Sequence, residues 1–487
     1  MRIKIGILLF LTFFFVQAQK NDITSQLYES YEKYKEKSLD KRRIKHHQLQ
    51  PLLTALNTNS SFTVKVVGKS IEGRDLSLVS IGKGKTNVFL WSQMHGDEPT
   101  ATQAIFDIFN FFGSEDLKGE KQEILNNLTL HFLPMLNPDG AERYQRRNIL
   151  DVDINRDALR LQSPESKTLK RIRDSLNADF GFNLHDQSTY YNAERTNKPA
   201  TISYLAPAYN YEKDINEQRA NAMKVIVFMN NIIQKYASGQ VGRYNDDFEP
   251  RAFGDNIQKW GTSTILIESG GYTNDVEKQE IRKLNYVSIL SAIYTIANKN
   301  YIDIPLEDYE KIPENDRKLF DVKIANATYK IGGKPYILDI GINRLEVAIT
   351  NSTEFWYSSR IIDQGDLSTY YGYDTFDASG YTIKKGKIYP ETMLSMNDLK
   401  KLDITSLLKS GYLYVRVKNI PYKALYAPFP IHIIGAKHKL AEYQLQIGVN
   451  PSFLLEKNGV NTHVVINGFL MDLSSDKNHF KNAMIYR

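Results

Sequence analysis

"SQMHGDEPTATQAIF", residues 92–106, lies between an apolar run and a helical pattern, and its position decides how the chain folds. Before it, Val88, Phe89, Leu90 and Trp91 have the length and the β-branched and aromatic content of a buried strand. After it, Pro99 suits the first turn of a helix, where a missing N–H leaves nothing unsatisfied. Ala101, Ala104, Ile105, Ile108 and Phe112 then recur at helical spacing. His95 and Glu98 therefore stand where a strand ends and a helix begins. In an open α/β sheet that edge is where ligands bind.

Outward from this point the same alternation continues. Upstream, "FTVKVVGKS" and "LSLVSIG" are strand-like runs separated by turn signals. Downstream, "NLTLHFLPML" is a buried strand, a lysine-rich helical stretch begins at Lys167, and "DFGFNLHD" is a strand ending on His185. The helix "NEQRANAMKVIVFMNNIIQKYA" precedes the strand "TSTILIESGG", and "QEIRKLNYVSILSAIYTIA" closes the series near residue 298. Strands alternating with helices predict an α/β/α sandwich with a largely parallel mixed sheet. Residues 20 to about 60 are polar and helix-prone, with mixed charges as on a solvated helix face, and His46 and His47 read as exposed side chains there. From about residue 300 the texture changes to short strands between Gly, Asn and Pro turns, which predicts a smaller β-rich C-terminal domain. The expected division is a catalytic domain over 20–300, a linker over 301–320 and an accessory domain over 321–487.

Composition narrows the class. The chain has 487 residues, 42% hydrophobic and 24% charged, an ordinary globular balance long enough for two or three domains. With no cysteine, disulfides, thiolate catalysis and cysteine zinc sites are excluded. Residues 1–19, "MRIKIGILLFLTFFFVQAQ", have the basic start, apolar run and small residue of a cleaved signal peptide. Their removal predicts an exported chain, periplasmic or secreted, with no stable membrane insertion. A formal net charge of +6, two units of which belong to Arg2 and Lys4 of that leader, points to no nucleic-acid partner.

Three strand ends deliver His95 with Glu98, His185, and Glu268. Parallel strands bring their C-terminal ends to one edge, and two histidines with a carboxylate and an open fourth position describe a catalytic zinc site. With these residues in view, the sequence resembles the carboxypeptidase A-like zinc metallocarboxypeptidases. The resemblance rests on four elements in the family's order: "HGDE", "NPDG" running on to "DINRD", "NLHD" and "ILIESGG". It covers roughly residues 60–298.

The resemblance implies one Zn2+ held by His95, Glu98 and His185, with Glu268 as the proton shuttle. It implies Arg146 as the stabiliser of the developing oxyanion, with Arg147 beside it as the other candidate. Asn155 and Arg156 would grip the free C-terminal carboxylate of a peptide or peptide-like substrate, a task suited to a planar, bidentate guanidinium. Tyr244 is the nearest candidate for the tyrosine that covers that carboxylate. In the family's digestive members an arginine precedes the glutamate ligand, whereas Asp97 stands here, as in bacterial HGDE-type relatives. Two other readings stay open: a zinc amidase or deacylase acting on cell-wall stem peptides or acylated amino acids, and a non-catalytic binding protein on the same fold. The C-terminal domain's partner is not legible.

Overall fold

The computed structural model describes residues 23–487; the leader expected at 1–19 lies outside them. Its N-terminal region is built on an eight-stranded sheet. The strands are β1 (Thr63–Lys69), β2 (Asp75–Gly82), β3 (Thr86–Ser92), β4 (Leu128–Leu133), β5 (Phe180–Asp186), β6 (Ile202–Leu205), β7 (Val241–Arg243) and β8 (Ser263–Ser269), in the spatial order β1-β2-β4-β3-β5-β8-β6-β7. The central strands β4, β3, β5 and β8 run parallel, and the margins join antiparallel at β2 and β6.

Side chains alternate across a strand, and β3 shows why this one is apolar throughout. Val88 and Leu90 enter the core beneath helices α3 (Thr100–Gly113), α7 (Glu217–Ile233) and α9 (Gln279–Asn298), whereas Phe89 and Trp91 enter the core beneath α6 (Pro164–Leu176) and α8 (Phe253–Lys259). Burial on both faces is the α/β/α arrangement. The helices α4 (Lys118–Asn127) and α5 (Pro138–Arg143), with the strands β6 and β7, are too short for a periodic signal and go unread in the sequence. No described helix is long and apolar enough to cross a membrane.

The helix-prone stretch of residues 20 to about 60 is helical at both ends but not solvated between them. Helices α1 (Ile23–Ser30) and α2 (His46–Asn57) are separated by an irregular segment in which Arg42, Arg43 and Lys45 are buried. They have partners that are distant in sequence. Lys45 Nζ donates to the Ala141 carbonyl at 3.2 Å, and Arg42 and Arg43 both pair with Glu346. His46 is half-buried, its Nε2 3.0 Å from the Asp75 carbonyl oxygen, while His47 is exposed.

The β-rich C-terminal region follows. A hairpin of β9 (Leu319–Ile331) and β10 (Lys334–Ala348) pairs with β11 (Phe355–Gly365) on one side, and β12 (Tyr371–Asp377) runs parallel to β9. The sheet continues through Phe453–Lys457, Val460–Ile466 and Phe469–Asp472, and a second sheet of four strands shares an apolar cluster with those strands. The region touches the N-terminal sheet beyond the ends of β5 and β8. Tyr190 Oη donates to Asp321 at 2.8 Å, Tyr373 Oη donates to the Thr189 carbonyl at 2.6 Å, and Asn315 Nδ2 donates to Gln187 at 2.7 Å.

Candidate metal centre and active site

The site is assembled by turns that only certain residues permit. After β3 the chain bends through Gln93, a non-glycine residue at φ 51°, and after β4 through Met135 at φ 53°. Such left-handed conformations are uncommon outside glycine and concentrate at functional edges. Gly96 and Gly140, the glycines of "HGDE" and "NPDG", then meet back to back. A Cβ on Gly96 would lie 2.1 Å from the Gly140 carbonyl carbon. Asn137 caps α5 by accepting from the Gly140 N–H at 2.9 Å, and Pro138 occupies the first turn. The two motifs therefore pack as one unit.

On this frame His95, Glu98 and His185 converge, all buried, with one ligand atom from each lying within 4.8 Å of the others. His95 Nδ1 is 2.8 Å from Glu98 Oε1, His185 Nδ1 is 2.7 Å from Glu98 Oε2, and the two ring nitrogens are 3.1 Å apart. Two nitrogen lone pairs and a carboxylate aimed at one point fit a zinc ion, whose ~2.0–2.1 Å bonds would set two nitrogens about 3.3 Å apart. The remaining nitrogen of His95, Nε2, is 3.1 Å from Asp153 Oδ1, the carboxylate partner that orients a metal-binding imidazole. His185 Nε2 is buried without a partner. Burial disfavours a charged His95 ring, but Glu98 and Asp153 outweigh it and push His95 up to about 9. Burial and the charge of Glu98 hold Glu268 well above the usual carboxylate range.

Glu268 is the register partner of His185 across the parallel β5–β8 pair, so both side chains emerge on the same side of the sheet. It is buried, and its carboxyl has no hydrogen-bond donor among the described residues. Arg146 reaches the same place from the loop after α5. Its Nε donates to Asp153 Oδ2 at 3.0 Å, and its Nη1 is 3.0 Å from His95 Nδ1 and 3.4 Å from Glu98 Oε1. Half-buried Tyr244 packs edge-on against Tyr191, and burial first, then the charge of Glu268, raise its phenol pKa.

The other expected residues stand farther off. Arg147 Nη1 donates to the Asp151 carbonyl at 2.9 Å and makes no contact with the histidines. Asn155 Oδ1 accepts from the Phe253 N–H at 2.8 Å, which fixes α8 to the turn carrying Arg156. Arg156 lies 3.4 Å from Glu249, and its Nη1 donates to the Asn155 carbonyl at 2.7 Å. Asp153, which is not among the expected site residues, pairs with His95 and Arg146. Its signal was its place as the cap of the turn Ile154–Arg156, where it accepts from the Asn155 N–H. Glu249, one of three acids in the polar loop "NDDFE", carried no signal of its own.

Fold and site together describe a mixed α/β protein with a His-Glu-His centre at its sheet edge. Residues 50–195, which contain all three of those ligands, match the sequence model of the family described as Zinc carboxypeptidase. The chain is 31% identical over 120 residues to carboxypeptidase SOL1 of Arabidopsis thaliana, covering 21% of this chain and 24% of that protein. It is 30% identical over 116 residues to carboxypeptidase E of Caenorhabditis elegans, covering 20% and 25%. It thus spans about a quarter of the length of these curated relatives. A metallo-carboxypeptidase structure from Burkholderia cenocepacia covers 52% of this chain and 69% of its own, with TM-score 0.43 and 15% identity. Residues 50–195 belong to a zinc carboxypeptidase family domain.

Proposed function

We propose that the protein is an exported zinc metallocarboxypeptidase that removes the last residue of a peptide or peptide-like substrate. The observation that carries this reading is the convergence of His95, Glu98 and His185 with an unpaired buried Glu268 in register beside them. Zinc held by His95, Glu98 and His185 would supply Lewis acidity toward the scissile carbonyl and lower the pKa of water toward neutral pH.

The chain's own residues do the rest. Glu268 takes a proton from the attacking water and returns it to the leaving amine, a transfer that calls for a carboxyl not already committed to other donors. Arg146, fixed by Asp153, points its Nη1 toward the centre and stabilises the negative charge that develops on the carbonyl oxygen. Asp153 holds the His95 ring, so that Nδ1 faces inward. Arg156 and Asn155 receive the terminal carboxylate, and Tyr244 closes over it.

Amidating a good substrate's C-terminus is expected to lower kcat/KM at least tenfold, since a hydrogen bond to a charged group contributes roughly 1.5–3 kcal/mol. In Arg156→Ala the acid and the amide should become nearly equal. If wild type cuts the amide as fast as the acid, the amidase or deacylase reading replaces this one. Elemental analysis should find about one zinc per chain, lost in His185→Ala.

A further inference from the structure

The loop that carries Tyr244 also carries an acid placed on the proposed carboxylate receptor. Glu249 Oε2 lies 3.4 Å from Arg156 Nε, and both side chains are only partly exposed, at 29% and 37%. The same carboxylate is held on its other side by Arg251, whose Nε donates to Oε1 at 3.0 Å and whose Nη2 donates to Oε2 at 2.9 Å. Backbone contacts fix the loop in this position. The Glu249 N–H donates to Asp255 Oδ1 at 3.0 Å, the Ala158 N–H to the Arg251 carbonyl at 3.1 Å, and the Phe253 N–H to Asn155 Oδ1. The Arg156 turn and the Glu249 loop are thereby stitched together at two points, and the Asp255 contact braces the loop from within.

A glutamate side chain ends in the same group as a peptide's C-terminus. Resting on the above reading of Arg156, we propose that Glu249 is an internal carboxylate that a substrate's terminal carboxylate must displace from Arg156, with Arg251 retaining Glu249 when it is displaced. Two arginines then serve two carboxylates. Before binding, Glu249 bridges both; afterwards, the substrate takes Arg156 and Glu249 keeps its bidentate pair with exposed Arg251. Glu249 thereby sets how strongly the free acid is favoured over uncharged chain ends, and it rejects weakly held anions that cannot compete with it.

Calorimetry on the zinc-loaded protein in a Glu268→Gln background, which halts turnover, tests this. The probes are N-acetylated dipeptides ending in an aromatic, a basic or an acidic residue, each as free acid and as C-terminal amide. Glu249→Gln, nearly isosteric and with its backbone contacts intact, is expected to tighten binding of the acids about threefold or more, as partly exposed ion pairs allow, and to change the amides less. Arg251→Ala should act in the opposite direction, weakening the acids, because Glu249 then has only Arg156 to pair with. A merely structural role would weaken acids and amides alike in both variants. If the parent binds no acid better than its amide, the receptor reading of Arg156 and this proposal both fall. If the parent prefers the acids and Glu249→Gln leaves that preference unchanged or lowers it, the receptor reading stands and the proposal is overturned.

Discussion

In the C-terminal region Asp377, Asp403 and Asp472 each accept from a serine Oγ–H and from the same serine's backbone N–H, at 2.6–3.1 Å. Those hydrogen bonds, from Ser379, Ser406 and Ser474, hold the three carboxyls below their ordinary values. At the edge of the N-terminal sheet Glu98 and Asp153, paired with His95, are likewise held low, but three other acids behave oppositely. Burial first, and then Glu98, raise both Asp97, to about 6, and Glu268; burial pushes Asp255 up to about 7. Asp97 Oδ1 is buried with no partner. One region uses acids to cap turns, where the charged form is stabilised. The other buries these three, where ionisation is costly and proton transfer is available.

The comparison is tested most severely by neutralising one buried acid from each place. Glu268→Gln should retain zinc and lose turnover by at least the ~10²-fold of general acid–base catalysis. Asp321 is also raised by burial, but it accepts from Tyr190 Oη and from the Arg344 N–H at 2.6 Å. Asp321→Asn should leave kcat within a few-fold. Loss of metal in Glu268→Gln would make Glu268 a ligand, and a hundredfold fall in Asp321→Asn would make the contact between regions part of the catalytic machinery.

How much of this the sequence discloses also divides by region. The strand ends bearing His95, His185 and Glu268 are legible because long parallel strands leave continuous apolar runs and because their polar ends break those runs. "HGDE" and "NPDG" are legible as motifs, but the contact of Gly96 with Gly140 is not, since nothing local to either loop refers to the other. Arg42 and Arg43 mislead for the same reason. A basic run normally marks a solvated face, and here its counter-charge, Glu346, lies some three hundred residues away. In the C-terminal region single strands are visible from turn residues and alternation, while their order depends on pairings between distant segments that no local pattern specifies.

That hidden contact gives the second prediction. Arg43 Nη2 lies 2.7 Å from Glu346 Oε2, Arg42 pairs with the other oxygen, and both guanidinium groups stack near aromatic rings, Arg43 4.0 Å from the Tyr144 centroid. Glu346→Ala strands two buried cations. Removing one partner of a buried pair costs roughly 3–5 kcal/mol, and because Glu346 is 25% exposed the lower end is expected. Urea denaturation should show that loss with little change in zinc content. Glu354→Ala removes only an exposed pair with Lys41 at 3.8 Å and should change stability by no more than about 0.5 kcal/mol. Equal effects would mean that the two regions are not held together at Glu346.

The smallest effect is one of sign. Asp255 is raised by burial and, less, by the charge of Glu249, and lowered by the Glu249 N–H and by Arg156; burial dominates, and its folded pKa of about 7 exceeds the ~3.9 of an unfolded chain. The folded state therefore holds a proton that the unfolded state releases between about pH 4 and 7. The associated stability is fully present below about pH 4 and declines as pH rises toward 7, with a slope of at most about 1.4 kcal/mol per pH unit. Asn at 255 can still accept from the Glu249 N–H, so Asp255→Asn should lose this decline and gain on wild type as pH rises through that window. Asp403, the cap of the short helix Ile404–Lys409, is held below its ordinary value, so its contribution is present above about pH 4 and is lost as pH falls below that. Asp403→Asn should therefore lose ground to wild type as pH rises through ~4 and then run parallel to it. Urea midpoints at half-unit steps from pH 3 to 8 would read both curves. Two variants drifting in the same direction would mean that the carboxylates of the two regions are not differently housed after all.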